Sequence, residues 1–106
     1  MKKKLIKINY CILALIILFF QNIKAEGLFD QGKQIFLEEG NCAMCHTLQD
    51  ANSHGSIGPN LDEIKPDIMR IILAVTNGIG VMPALEGQLS KEEIKAVAAY
   101  VEKSTN

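Results

Sequence analysis

The sequence is poor in several residues that would otherwise narrow its class. It has no tryptophan, and only two tyrosines and four phenylalanines in 106 residues. Three cysteines are too few for a disulfide scaffold. Basic residues show no excess: 11 Lys and Arg stand against 12 Asp and Glu, a formal charge of −1, which argues against a nucleic-acid binder. No segment alternates apolar and polar residues beside a turn signal, so no strand is expected. There is no internal repeat and no low-complexity run, and the length allows one domain.

These averages cover two unlike parts. Lys2, Lys3, Lys4 and Lys7 form a basic head, followed by the apolar run Tyr10–Phe20 and a polar stretch that ends on the small residue Ala25. That is the layout of a secretory signal peptide. As a helix, the 11-residue run would be about 16 Å long, whereas a bilayer core needs roughly 20 apolar residues. The expected division is therefore a signal peptide over 1–25, cleaved after Ala25, and a domain over 26–106. Cys11 should leave with the leader. No permanent membrane span is expected after cleavage, and the expected compartment is the periplasm of a Gram-negative bacterium. Residues 26–106 keep six basic and twelve acidic residues, so their formal charge is −6. A chain of 81 residues buries a marginal core and usually needs a staple.

The remaining pattern is helical. Residues 28–39 place Leu28, Phe29, Gly32, Ile35 and Phe36 near one face, with Gly40 available to end the helix. Residues 66–76 form a second candidate, with Pro66 in its first turn and Ile68, Met69, Ile71, Ile72 and Val75 apolar. Residues 91–103 form the clearest one: Ser90 and Glu93 make a capping box, and Ile94, Val97, Ala98 and Val101 follow helical spacing. Residues 47–65 hold so many Gly, Ser, Asn and Pro that most of the stretch reads as loop. Three short helices around this much irregular chain call for a large apolar group in the middle.

Cys42-Ala-Met-Cys45-His46 supplies the reason. C-x-x-C-H is the signature of covalent haem c attachment. Two cysteines three apart reach the two vinyl groups on one haem edge, and the adjacent His projects toward the iron. Three other readings compete. A disulfide or thioredoxin-like pair would need a strand before the motif, and residues 28–39 read as helix. A zinc site could count Cys42, Cys45, His46 and His54, but the neighbours Cys45 and His46 could hardly both face one tetrahedral metal. A chance match of so short a pattern is the third.

A second axial ligand is then expected. Met44 lies between the thioether cysteines and is excluded. Met69 falls on the apolar face of the second helix, where Met is core filler. His54 lies in a polar loop and reads as a surface residue. Met82 follows the flexible Asn77–Val81 and precedes Pro83, which restrains its backbone toward extended geometry. It can approach the iron from the face opposite His46, as a soft ligand that raises the potential.

Cys42–His46, then Gly58-Pro59-Asn60-Leu61, then Asn77–Pro83 ending in Met82-Pro83, then a closing amphipathic helix, together resemble a small class I c-type cytochrome with one haem. The resemblance covers residues 27–103. It implies an all-α cytochrome c fold, with three to four short helices and long loops wrapped around one covalent haem. It implies that Cys42 and Cys45 carry the haem and that His46 and Met82 are the metal ligands. Pro59 would accept the proximal imidazole N–H through its carbonyl, and Leu61 would pack on the haem. Gly32 and Phe36 would meet Tyr100. Ile57, Leu61, Ile72, Val75 and Val81 would enclose the ring, with one edge near Cys42 and Cys45 left exposed.

The implied function is a one-electron carrier, not an enzyme, passing electrons between a dehydrogenase or respiratory complex and an oxidase. The alternative is a dedicated subunit or acceptor of a periplasmic dehydrogenase, such as a sulfite dehydrogenase. The −6 charge favours redox partners with a basic docking patch. The loop Gln49–Ile57 is shorter than in mitochondrial-type members, and their lysine-rich rim is absent, so their partner specificity does not carry over.

Overall fold

The computed structural model describes the backbone of residues 2–106 and the side chains of residues 9–18 and 27–106. The basic head and the expected cleavage junction at Ala25 lie outside the described side chains. Four helices form in chain order: α1 (Lys2–Leu37), α2 (Leu61–Ile64), α3 (Ile68–Asn77) and α4 (Lys91–Thr105). Between α1 and α2 run two 3-10 turns, Cys42–Met44 and Gln49–Ala51, and a two-residue antiparallel pair, β1 (Thr47–Leu48) and β2 (Ser53–His54).

Helix α1 is longer than the expected 28–39, because nothing between Ala25 and Leu28 interrupts the helical backbone. Its large apolar side chains at Tyr10, Ile12, Leu13 and Leu15 to Leu18 are exposed. Among the described residues, no helix is long and apolar enough to cross a membrane. The C-terminal end comes at Leu37, where Gly40 N–H bonds to Ile35 O at 2.7 Å.

The core is the crossing of α1 with α4. Ile35 and Phe36 from α1 and Ile94, Ala96, Val97, Ala98, Tyr100 and Val101 from α4 are buried. Close approach depends on Gly32: a Cβ there would collide with Ala96 O and lie 2.6 Å from Tyr100 Cβ. The Tyr100 ring is met edge-on by Phe29 and Phe36, with centroids 5.0 and 5.9 Å away, a favoured aromatic geometry. The expected meeting of Gly32 and Phe36 with Tyr100 is thus observed.

Helix starts follow their caps. The capping box of Ser90 and Glu93 is present in both directions, at 3.0 and 3.1 Å, and α4 runs two residues past the expected 103. Helix α3 begins two residues later than expected. Asp67, not Pro66, opens it, because the Asp67 carboxylate accepts Arg70 N–H at 2.9 Å and satisfies an otherwise orphaned donor. Pro66 lies before the cap and is buried. The 47–65 stretch is also more ordered than its composition suggests, since it holds β1, β2, a 3-10 turn and α2.

Candidate functional site

The stretch from Cys42 to Leu61 folds back on itself through short hydrogen bonds. Buried Ser53 donates from Oγ to His46 O at 2.9 Å and accepts Leu48 N–H at 3.0 Å. Thr47 Oγ1 donates to Gly55 O at 2.9 Å, and Gly58 N–H donates to Cys45 O at 2.7 Å. The C-x-x-C-H turn is therefore braced by the chain that follows it.

His46 is held the same way. Its Nδ1 lies 2.8 Å from Pro59 O. A carbonyl only accepts, so Nδ1 carries the proton and Nε2 keeps its lone pair for a metal. Gly58 makes room for the ring: a Cβ there would stand 2.5 Å from His46 Cε1 and 2.8 Å from Nδ1. Asn60 then caps α2 by accepting Asp62 N–H at 3.0 Å, which presents the buried Leu61.

The opposite side comes from the far part of the sequence. Helix α3 ends at Asn77 with Gly78 as its cap, and Ile79 and Met82 form a bridge, with Met82 N–H on Ile79 O at 2.9 Å and Ile79 N–H on Met82 O at 3.1 Å. Both backbone groups of Met82 are thereby fixed, and its side chain is half-buried against the core.

Cys42, Cys45, His46, Pro59, Leu61 and Met82 all line one cleft of about 520 Å³, within the size range of cofactor sites. Both cysteines are free thiols. Burial pushes the Cys42 thiol up to about 11. The lining is otherwise mostly apolar and includes Ile57, Val75 and Val81 as expected. Ile72 is an exception. It packs against the core outside the cleft, and Ile71 takes the place expected of it, because Ile71 and Val75 share a face of α3 one turn apart. Met69 is 59% exposed on the outer side of α3, not core filler. His54 is exposed on β2 and away from the cleft, while Met44, 64% exposed, sits at its mouth.

The donor set suits one group: two thiols on one side for thioethers, one oriented imidazole, one thioether side chain across the cleft, and apolar walls between. Among the described residues no cluster of three or more His, Cys, Asp or Glu could hold a metal ion, so the zinc alternative has no place here.

Sequence reasoning missed a polar clamp beside the core. Tyr100 Oη donates to Asp50 Oδ2 at 2.6 Å, and Lys33 Nζ lies 3.4 Å from the same oxygen. The Tyr100 hydrogen bond, aided by Lys33, holds the Asp50 carboxyl below its usual range. Burial and Asp50 push the Tyr100 phenol above its own. A Tyr and an Asp 50 residues apart give no local signal.

Comparison with known proteins agrees with this geometry. Residues 27–101 match the family described as cytochrome c oxidase, cbb3-type, subunit III. Over 80 residues the chain is 37% identical to cytochrome c6 of Diacronema lutheri, covering 71% of this chain and 94% of that protein. It is 45% identical over 76 residues to the cbb3-type cytochrome c oxidase subunit FixP of a Bradyrhizobium strain, covering 66% of this chain and 25% of that protein. The solved structure of the c-type cytochrome SorU from Sinorhizobium meliloti is similar with a TM-score of 0.72 and 56% identity, over 76% of this chain and 93% of that one. The chain therefore belongs to the small class I c-type cytochromes, with the cytochrome c fold and a covalent haem c, and is an electron-transfer protein rather than an enzyme.

Proposed function

We propose that residues 26–106 form a periplasmic one-electron carrier in which Cys42 and Cys45 hold the haem, and His46 and Met82 are its axial ligands. The observation that carries this is the convergence of both thiols, the imidazole and the Met82 side chain on one cleft. The haem supplies the chemistry, one electron at a time through its iron. The chain's own residues do the rest. Pro59 O orients His46 and strengthens it as a donor. The Ile79–Met82 bridge fixes the backbone that carries the Met82 thioether. Leu61, Ile71 and Val75 exclude water. With His46 and Met82 both engaged by the iron, the group would have no open position for a substrate.

The leader over 1–25 would direct export and be removed after Ala25. The acidic balance of residues 26–106 supports steering toward a partner with a basic patch, in a brief and small encounter. Donor and acceptor would be a dehydrogenase or respiratory complex and an oxidase. The likeness to FixP, named as an oxidase subunit, supports a second reading in which the same domain serves as a fixed redox subunit; a dedicated acceptor of a periplasmic dehydrogenase, such as a sulfite dehydrogenase, is the other form of that reading.

The decisive experiment is a reduced-minus-oxidised visible spectrum of the periplasmic fraction, with carbon monoxide added to the reduced sample. A haem c spectrum, a weak far-red Met-to-iron band in the ferric form and no carbon monoxide binding are expected. Rapid binding would overturn the six-coordinate carrier. Stable co-purification with a dehydrogenase or oxidase would favour the subunit reading over the free carrier.

A further inference from the structure

Helix α3 starts on two carboxylates. One is its own cap, Asp67, which takes Arg70 N–H. The other comes from α4: Glu102 Oε2 accepts Ile68 N–H at 2.5 Å, across 34 residues. Among the described residues this is the one hydrogen bond between α3 and α4. It satisfies a donor that every helix start leaves open, and a negative charge suits that end of the helix dipole. Otherwise α3 meets α4 through the apolar core, where Ile71 and Val75 join Val97 and Val101. Apolar packing has no direction, whereas a hydrogen bond does.

The other end of α3 carries the distal loop as one piece. Gly78 N–H bonds to Ala74 O at 2.8 Å and Leu85 N–H to Val75 O at 2.9 Å, with the Ile79–Met82 bridge between them. A Cβ on Gly78 would stand 2.6 Å from Met82 O and 2.8 Å from Ala84 N, so the loop backbone lies directly on the helix end. After this loop the chain runs through Ser90 into α4, which ties the unit on that side. Its beginning follows Pro66, which has no N–H to give, so the hydrogen bond to Glu102 is the tie there.

We propose that Glu102 is a positioning residue for Met82: it registers α3 on α4 and, through α3, holds the backbone of the distal loop at the cleft. The proposal rests on the reading that Met82 is an axial ligand. Without the tie, residues 68–85 would tilt away from α4 as a unit and release Met82 more often. The Cys42–His46 turn, braced by Ser53, Gly55 and Gly58, would stay as it is.

The test uses ferric holoprotein of the natural chain, Glu102→Ala and Glu102→Gln. Tyr100→Phe serves as a control that loses a hydrogen bond to another carboxylate, Asp50. Added imidazole takes the distal position only when Met82 has left it, so its apparent affinity measures that opening. Amide hydrogen exchange at Met82 and Leu85 reads the loop, and at Leu48 and Gly58 the proximal side. Glu102→Ala should raise the imidazole affinity roughly tenfold, the worth of a hydrogen bond to a charged group. Exchange should quicken at Met82 and Leu85 and stay unmoved at Leu48 and Gly58. Glu102→Gln keeps an acceptor oxygen without the charge and should rise roughly threefold. Tyr100→Phe, a separate site, should stay within about twofold of the natural chain. Unmoved affinity or unmoved loop exchange in Glu102→Ala would overturn the proposal. So would an equal rise in Tyr100→Phe or equal quickening at Leu48 and Gly58, which marks a general loss of stability. If Glu102→Ala yields no holoprotein, Glu102→Gln decides in the same way. The far-red band of the natural chain separates the two readings. Its absence counts against Met82 as ligand, and the proposal falls with it; an intact band with unmoved affinity counts against Glu102 alone.

Discussion

The imidazole of His46 donates from Nδ1 to the carbonyl of Pro59 at 2.8 Å, across thirteen residues, and Gly58 lies against the same ring. Gly58→Ala would place a methyl 2.5 Å from His46 Cε1. The ring must turn or the loop must shift, at a cost of about 1–3 kcal/mol for such overpacking. The expected outcome is a holoprotein with a lower denaturation midpoint and a changed potential, because the Pro59 hydrogen bond tunes the ring. Unaltered values for both would show that the ring is not confined there.

Met82→Ala tests the distal ligand. The far-red band should disappear, the potential should fall, and ferrous protein should bind carbon monoxide. An unchanged spectrum would assign the ligand to another residue.

Gly32→Leu tests the helix crossing separately from the haem site. Its side chain would enter space occupied by Ala96 O and Tyr100 Cβ. Destabilisation of at least ~1–3 kcal/mol is expected from overpacking, read as a lowered denaturant midpoint, with the absorption spectrum of the surviving folded fraction unaltered.

The Asp50–Tyr100 clamp makes a pH-dependent contribution. Asp50 has a depressed folded pKa, so its contribution is complete above the unfolded carboxyl value of about 3.9 and is lost as pH falls through the folded value. Tyr100 has a raised folded pKa, so its share is complete below about 10 and is lost as pH rises through the folded value. Tyr100→Phe should cost about 1 kcal/mol at neutral pH, a hydrogen bond to a charged partner discounted for Asp50's exposure to solvent. It should also flatten both limbs of the stability profile. Urea melts at pH 3, 7 and 11 measure this, and parallel profiles for the two proteins would show that the clamp is silent.

Cys42→Ala with Cys45→Ala removes covalent attachment. The cleft between Phe36, Leu61, Val75 and Val97 would then open a void in a small core, and the chain should be largely unfolded by circular dichroism. Cooperative thermal unfolding of this variant without haem would contradict that expectation.

The parts of the fold legible in the sequence were those written in adjacent residues. Cys42, Cys45 and His46 are contiguous, and the Ser90–Glu93 box spans one turn, so local spacing reveals both. Helical phase was legible only to within a residue. Ile71 and Ile72 are equally apolar, and only the packing of α3 on α4 decides which one faces the cleft. Met69 shows the same limit, because its apolar character says nothing about which side of α3 has a neighbour. Pro66 reads as a helix start, but the Asp67 carboxylate caps Arg70 N–H and opens the helix two residues later, at Ile68. Ser53 read as a loop residue, yet it is buried under the His46 carbonyl, and Asp50 gave no sign of the tyrosine it would meet.

The two sides of the cleft differ in how much chain must be organised before each exists. Every bond bracing the His46 side spans at most thirteen residues: Ser53 to His46, Thr47 to Gly55, Gly58 to Cys45, His46 to Pro59. The Met82 side depends on α3 and α4, and α4 in turn must cross α1. Contacts of short sequence separation close fastest. The His46 side therefore closes over a single short segment, residues 42–61, whereas the Met82 side is set by elements that meet from both ends of the domain.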